Sequence, residues 1–97
     1  MSLDVRWTEE AEFTFDHIVS FIQQDWGERS ADNFIAKTKK ILKSISNHPQ
    51  LFPESGIENV RKAVITKQTS LFYEVFPDRI MLVFFWDNRQ DPFIFLG

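Results

Sequence analysis

Few side chains in this 97-residue chain could do chemistry. Five cations, Arg61, Lys62, Lys67, Arg79 and Arg89, fall in or beside its strand-forming half and could hold an anionic group. Glu74 could serve as a general base, or as the structural partner of Arg61. Tyr73 is the single tyrosine. The chain has no Cys, which excludes disulfides and thiolate metal sites. His17 and His48 have no Asp, Glu or His at the spacing a metal site needs, so no metal is expected. Each cation also has a plainer reading. Arg61 could pair with Glu58 or Glu74, and Asp87 and Asp91 could hold Arg89 in a polar turn. Arg79 reads as a solvated charge at a hairpin end, and Lys62 and Lys67 as exposed strand and turn residues.

The stretch that must position these groups runs from Val60 to Trp86 and reads as three consecutive antiparallel strands. Phe76-Pro77-Asp78-Arg79 is its clearest turn, because Pro fixes φ and Asp can bond its own backbone. A two-residue Pro77-Asp78 loop pairs Phe76 with Arg79, and pairs run outward one by one. Strand alternation then places Leu71, Tyr73, Val75, Ile80, Leu82, Phe84 and Trp86 on one apolar face that must be covered. The other face collects Ser70, Phe72, Glu74, Phe76, Arg79, Met81, Val83 and Phe85, mixing charge with large apolar groups. Function is expected on or beside this mixed face. In this register Tyr73 is buried with its hydroxyl satisfied.

Ahead of the strands, Asp4 to Trp7 is a short strand candidate. Thr8 is a good helix N-cap, with Glu9, Glu10 and Glu12 in the favoured first turn. Ala11, Phe15, Ile18, Val19, Ile22 and Trp26 follow at helical spacing, giving a helix over about residues 8–25. Phe13 and Phe21 fall off that stripe; they either widen the buried face or lie exposed at a contact. Gly27 breaks the helix, and Ser30 can cap the next one. There Ala31, Phe34, Ile35, Thr38, Ile41, Leu42 and Ile45 form a second stripe, ending near Asn47-His48-Pro49. The short link makes the helices an antiparallel hairpin whose stripes can cover the apolar sheet face. Pro53 and Gly56 mark a loop back to the strands. After Trp86 comes a polar turn and then the apolar run Phe93-Ile-Phe-Leu96, which could add an edge strand, fold back on the core or dock on a partner. The expected class is α+β, ordered β-α-α-β-β-β, with a helical hairpin on one face of a mostly antiparallel sheet in one domain, 1–97.

The net charge of −3 hides an asymmetry: residues 1–36 carry −6 and residues 37–97 carry +3. Mild overall acidity argues against direct DNA binding, whose affinity rests on many phosphate contacts. No apolar run reaches membrane-spanning length, and the N-terminal region is acidic, unlike a signal peptide, so a cytoplasmic protein is expected.

This order resembles the RelE/ParE superfamily of bacterial toxins from type II toxin–antitoxin modules. The resemblance covers nearly the whole chain. It rests on Trp7 followed by the acidic helix start, Ile45-Ser-Asn-His-Pro49, the Pro53 to Gly56 loop, Val60-Arg61, Phe72-Tyr73, and Trp86-Asp-Asn-Arg-Gln-Asp-Pro92. It implies a toxin, of the ParE-like plasmid-stabilisation type, neutralised by a cognate antitoxin and needing no cofactor. RelE-like members cleave mRNA in the ribosome and use clustered Arg and Lys; ParE-like members poison DNA gyrase. RNA cleavage through 2′-OH attack needs a base, an acid and cations for the phosphorane charge. The candidates for such work are Arg61, Arg79, Arg89 and Glu74, with Lys62 and Lys67 behind them. Where many members carry Arg, this chain has Ser70, and no Tyr or His follows Tyr73. The thin basic set favours gyrase over the ribosome as target, with a non-toxic interaction module on the same fold as a further alternative. The resemblance places an Arg at position 61, which makes Arg61 the first functional candidate. Partner contact is expected at Arg61, Lys62, Phe72, Phe76, Phe85 and Arg89, with added strand pairing at a sheet edge. Self-association is left open.

Overall fold

Thr8 starts the helical part of the fold. In the computed structural model, which describes residues 2–88, its backbone is extended and its Oγ1 accepts the Ala11 N–H at 2.9 Å. The strand before it is β1 (Asp4–Trp7), and the helix it caps is α1 (Glu9–Trp26). Glu9, Glu10 and Glu12 occupy the first turn, where the helix dipole favours acids. A single residue, Gly27, joins α1 to α2 (Glu28–Asn47). Its φ of 93° reverses the chain in a conformation that strains any side chain. Gly27 N–H closes α1 on the Gln23 carbonyl, while its own carbonyl takes the Ala31 N–H and opens α2. Ser30, expected as the cap of α2, therefore lies inside its first turn. The second stripe is buried through Ala31, Phe34, Thr38 and Ile45, and Thr38 keeps its hydroxyl satisfied on the Phe34 carbonyl.

Strands β2 (Val60–Thr66), β3 (Thr69–Val75) and β4 (Arg79–Asp87) complete a four-stranded sheet in the order β1-β4-β3-β2. The helical hairpin covers one face, as the two apolar stripes require. β1 lies parallel to β4, with Val5 beside Ile80 and Trp7 beside Leu82; the other pairs are antiparallel. The Leu3 N–H and carbonyl are bonded by Ser46 near the end of α2, which fixes where β1 enters.

The β3–β4 turn forms as its sequence dictates: Phe76 N–H donates to the Arg79 carbonyl at 2.8 Å, and Val75 pairs with Ile80, Glu74 with Met81 and Tyr73 with Leu82. The register then shifts. Phe72 pairs with Phe84 and Leu71 with Phe85, leaving Val83 as the extra residue of a β-bulge. This corrects the face assignment beyond Leu82. Phe85, expected on the mixed face, is 1% exposed and belongs to the core, while Phe84 is opposite Phe72 and Trp86 opposite Ser70 on the uncovered face.

The bulge persists because α1 satisfies the backbone that the ladder gives up. β1 covers β4 only as far as Leu82. Just beyond, Thr8 N–H donates to the Leu82 carbonyl, Thr8 Oγ1 donates to the Val83 carbonyl at 2.8 Å, and Phe85 N–H donates to Thr14 Oγ1 at 2.9 Å. Phe85 then stacks on Trp7 (5.5 Å between centroids) and meets Phe15 at 5.1 Å, and Phe15 reaches Phe34 on α2. This aromatic cluster joins sheet and hairpin around Leu71, Tyr73, Ile80, Leu82 and Ile45.

Among the tryptophans, Trp7 packs against the core, but Trp26, expected on the buried stripe of α1, is 67% exposed. It is the last residue of α1, with the chain reversing at the next position.

Replacing Thr14 by Val keeps the shape but leaves the Phe85 N–H without an acceptor, at a cost of about 1–3 kcal/mol. Thr14→Ser should cost clearly less. Urea unfolding of both variants checks this; equal stability of Thr14→Val and wild type would show that the hydroxyl does not hold the bulge.

Candidate functional site

Strand pairing builds the uncovered face in rows. The central row runs Lys62–Phe72–Phe84 across β2, β3 and β4. The Phe72 and Phe84 rings stack at 4.6 Å, and Lys62 Nζ sits 5.8 Å from the Phe72 centroid, within cation–π range. One row away, Val64, Ser70 and Trp86 align; on the other side are Val60, Glu74, Met81 and Arg6. Toward the β3–β4 turn, the Arg79 guanidinium lies 4.3 Å from the Phe76 ring and pairs with the exposed carboxylate of Asp78. That exposed pair contributes under about 1 kcal/mol. The result is an aromatic centre bordered by cations, a composition typical of protein contact surfaces.

Arg61 lies elsewhere. It pairs with Tyr73, which the helices cover, so it sits on the covered side of the sheet and not beside the mixed face. Its partner is neither Glu58 nor Glu74: Nη1 donates to the Phe52 carbonyl at 2.7 Å. Beside it the buried Tyr73 hydroxyl donates to the Pro49 carbonyl at 2.8 Å. These two side chains pin the loop between α2 and β2. Lys62 N–H donates to the Pro53 carbonyl and Ser55 N–H to the Val60 carbonyl, so the loop also pairs with the first half of β2. Gln50, Glu54, Asn59, Arg61, Glu74 and Val75 line a cleft of about 260 Å³ there. Burial lifts the Tyr73 phenol above its usual value of 10.0, a rise partly offset by the Arg61 charge and the Phe52 backbone. Tyr73 is thus a protonated structural donor at neutral pH.

Among the described residues these cations do not converge. Lys62 is central on the uncovered face and Arg61 is on the covered side. Lys67 and Arg79 stand at opposite ends of the seven-residue β3, separated by on the order of 20 Å. Arg89 and the Phe93–Leu96 run lie outside the described residues. Ser70 is fully buried, its hydroxyl donating to Asn88 Oδ1 at 3.1 Å. His17 stacks on Phe13 along α1, and His48 ends α2. Among the described residues no three His, Cys, Asp or Glu side chains gather as a metal site would require. No helix of the described residues is long and apolar enough to cross a membrane.

Of the six residues expected at a partner contact, the structure brings Lys62 and Phe72 together, puts Phe76 under Arg79, and removes Phe85 to the core. Strand alternation missed Phe84 and Trp86. Three aromatics in succession at 84–86 satisfy either parity, so only the tertiary bonds from Thr8 and Thr14 decide between them.

A family model described as the ParE toxin of type II toxin–antitoxin systems, parDE, matches residues 5–92. The chain belongs to the ParE toxin family. Its fold is that of solved toxin structures. The chromosomal ParDE TA system from P. aeruginosa superimposes with a TM-score of 0.77 at 16% identity, covering 89% of this chain and 96% of that one. The YoeB dimer from Staphylococcus aureus gives 0.60 at 18% identity, with 87% and 94% covered. The E. coli DinJ–YafQ toxin–antitoxin complex gives 0.61 at 11% identity, with 92% and 96% covered. No curated protein sequence matches the chain significantly. In this ParE-family chain, then, the two-helix cover and four-stranded sheet are the expected α+β toxin architecture.

Because the folded state holds the Tyr73 proton more tightly than the unfolded chain, its contribution to stability is complete below about pH 10 and is lost as pH rises through the raised value. Tyr73→Phe should remove that alkaline loss and cost about 1 kcal/mol at neutral pH. With one tyrosine in the chain, tyrosinate absorbance reads the titration directly. A midpoint at or below 10 in the native protein would contradict it.

Proposed function

We propose that this ParE-family toxin acts by protein contact on DNA gyrase and is neutralised by a cognate antitoxin that covers the uncovered sheet face and pairs with the edge strand β2. The observation that carries this reading is the Lys62–Phe72–Phe84 row, an aromatic surface, with the other cations of the strand half dispersed among the described residues. A phosphorane-stabilising centre needs several cations within a few ångströms of one phosphate. The separation of Arg61, Lys67 and Arg79 gives no such centre among the described residues. The match to the ParE model supports the toxin part of this reading.

The edge supports the antitoxin half of the proposal. β2 ends the sheet order, and the 53–55 segment occupies only its first half. Val64 is 54% exposed in the second half, where its backbone faces outward in the same phase as Lys62 N–H. An extended antitoxin segment laid along Val64 and Thr66 would add a strand there and carry apolar side chains over Phe72.

Three measurements test the proposal. Induction of the chain alone in growing bacteria should stall thymidine incorporation before methionine incorporation, and purified protein should block gyrase supercoiling. Methionine stalling first would replace gyrase with ribosomal mRNA cleavage, and no effect on either would leave an interaction module. Phe72→Asp should weaken antitoxin binding by about 2 kcal/mol, roughly thirtyfold, with unfolding midpoint little changed. Unaltered affinity would move the antitoxin off this face.

A further inference from the structure

β2 ends the sheet, yet half of its outer edge is already taken by the chain itself. Residues 53–55 lie antiparallel to it. Lys62 N–H donates to the Pro53 carbonyl at 3.0 Å, Glu54 bridges to Arg61, and Ser55 N–H donates to the Val60 carbonyl at 2.9 Å. Ser55 Oγ donates to the same carbonyl at 2.7 Å. The chain between Ser55 and Val60 can turn this tightly because Gly56 has φ 99° and Asn59 has φ 66°, a region that Asn enters more readily than most residues. Val60 N–H then closes the turn on the Ile57 carbonyl. In effect the loop supplies a minimal fifth strand.

That strand ends at Pro53 for local reasons. Proline has no N–H with which to continue a ladder. Phe52, just before it, packs against the core, and its carbonyl takes the Arg61 Nη1 donor at 2.7 Å. Three residues earlier, the Pro49 carbonyl takes the Tyr73 hydroxyl. Both donors come from the covered side of the sheet, so the loop is held from behind the edge it occupies. At the other end of β2 the register shifts between Val64 and Thr66, and a strand bends at such an irregularity. Proline and bulges are the usual devices by which a sheet edge escapes unwanted pairing. Between the two lies a window centred on Val64, where no pairing of the edge is found among the described residues. From Lys62 to Thr66 it measures about 13 Å.

We propose that Pro53–Ser55 is a built-in stop on the β2 edge, held by Arg61 and Tyr73 as positioning residues, and that it admits an added strand of only about three residues, seated opposite Val64. The partner it fits is a short extended segment with an apolar side chain beside Val64, turning away from the sheet where it meets Pro53. A long strand is refused. Antiparallel pairing with β2 of a second copy about Val64 needs the Lys62 N–H, which Pro53 already holds. The inference rests on the strand-pairing half of the proposed function and specifies its register.

Amide hydrogen exchange, read residue by residue by NMR, tests it in two steps. In the free chain, Lys62 and Ser55 should exchange at least about tenfold more slowly than Val64. Arg61→Gln should speed Lys62 about tenfold, the loss expected for one hydrogen bond from a charged donor. The Leu71 amide, at the centre of the sheet, should keep its rate and show that the sheet is intact. Ser55→Ala, a change confined to the loop, should move Lys62 in the same direction. A Lys62 amide as fast as Val64, or unmoved by both variants, overturns the stop. In the complex with the cognate antitoxin, Val64 should slow by about tenfold or more while Ser55 and Lys62 keep their rates. Slowing at Val64 with release of Ser55 means that the partner displaces the segment, which overturns the stop and leaves the strand pairing standing. Val64 unchanged in the complex overturns the seat and the strand pairing together, with the stop itself still judged by the free chain.

Discussion

Two threonine hydroxyls on or beside α1 determine how the last strand is read. Thr8 reaches the Val83 carbonyl and Thr14 receives the Phe85 N–H, so β4 can carry an extra residue without stranding a backbone group. Each bond is worth only about 1 kcal/mol net, but an unmet buried group costs more than that. The choice of face for three aromatics follows from these bonds. Phe85 turns inward to join Trp7, Phe15 and Phe34. Phe84 turns outward to stack on Phe72. One local device thus supplies the aromatic heart of the core and the aromatic centre of the uncovered face, and ties both to the start of the first helix.

Much of the fold was legible because several local signals agreed. Thr8, three acids and an apolar stripe define α1; the stripe of α2 is cleaner still; and Pro77-Asp78 sets the hairpin register at its closed end. What was not legible depended on partners far away in sequence. Val5 and Trp7 could not reveal that β1 lies parallel to β4, since their alternation suits any edge. The bulge left no local mark, because Phe84, Phe85 and Trp86 are apolar in either parity. Gly27 announced a helix break, but not that one residue would suffice to turn between two helices. Part of the candidate site was misplaced for a related reason. Arg61 resembles a free functional cation in sequence, yet a loop carbonyl nine residues back, that of Phe52, is its partner. Only the packing of that loop against Tyr73 makes the pairing visible.

Two adjacent cations of β2 lie on opposite faces of the sheet. Arg61 donates to the Phe52 carbonyl and holds a Pro- and Gly-containing loop on the sheet, with Tyr73 completing the clamp. Lys62, one residue on, points to the other face and borders the aromatic row. Neighbours in sequence thereby fall on opposite faces of the sheet, as strand alternation requires. A side chain already committed to a backbone carbonyl is poorly placed to follow charge as it develops on a substrate, whereas a lysine over an aromatic ring keeps donors free for a partner.

The parallel pairing of β1 with β4 also bears on biosynthesis. Residues 4–7 are made first among the strands, yet their ladder partner, 79–82, arrives only after both helices and two further strands. Contacts this distant in sequence form late. While the ribosome is still adding β4, the hairpin of α1 and α2 has no finished sheet to cover, and the aromatic cluster lacks Phe85. The aromatic row of the uncovered face, which needs Phe84 opposite Phe72, comes into being in the same final step. The Phe72–Phe84 stack therefore cannot form until translation has passed the last strand.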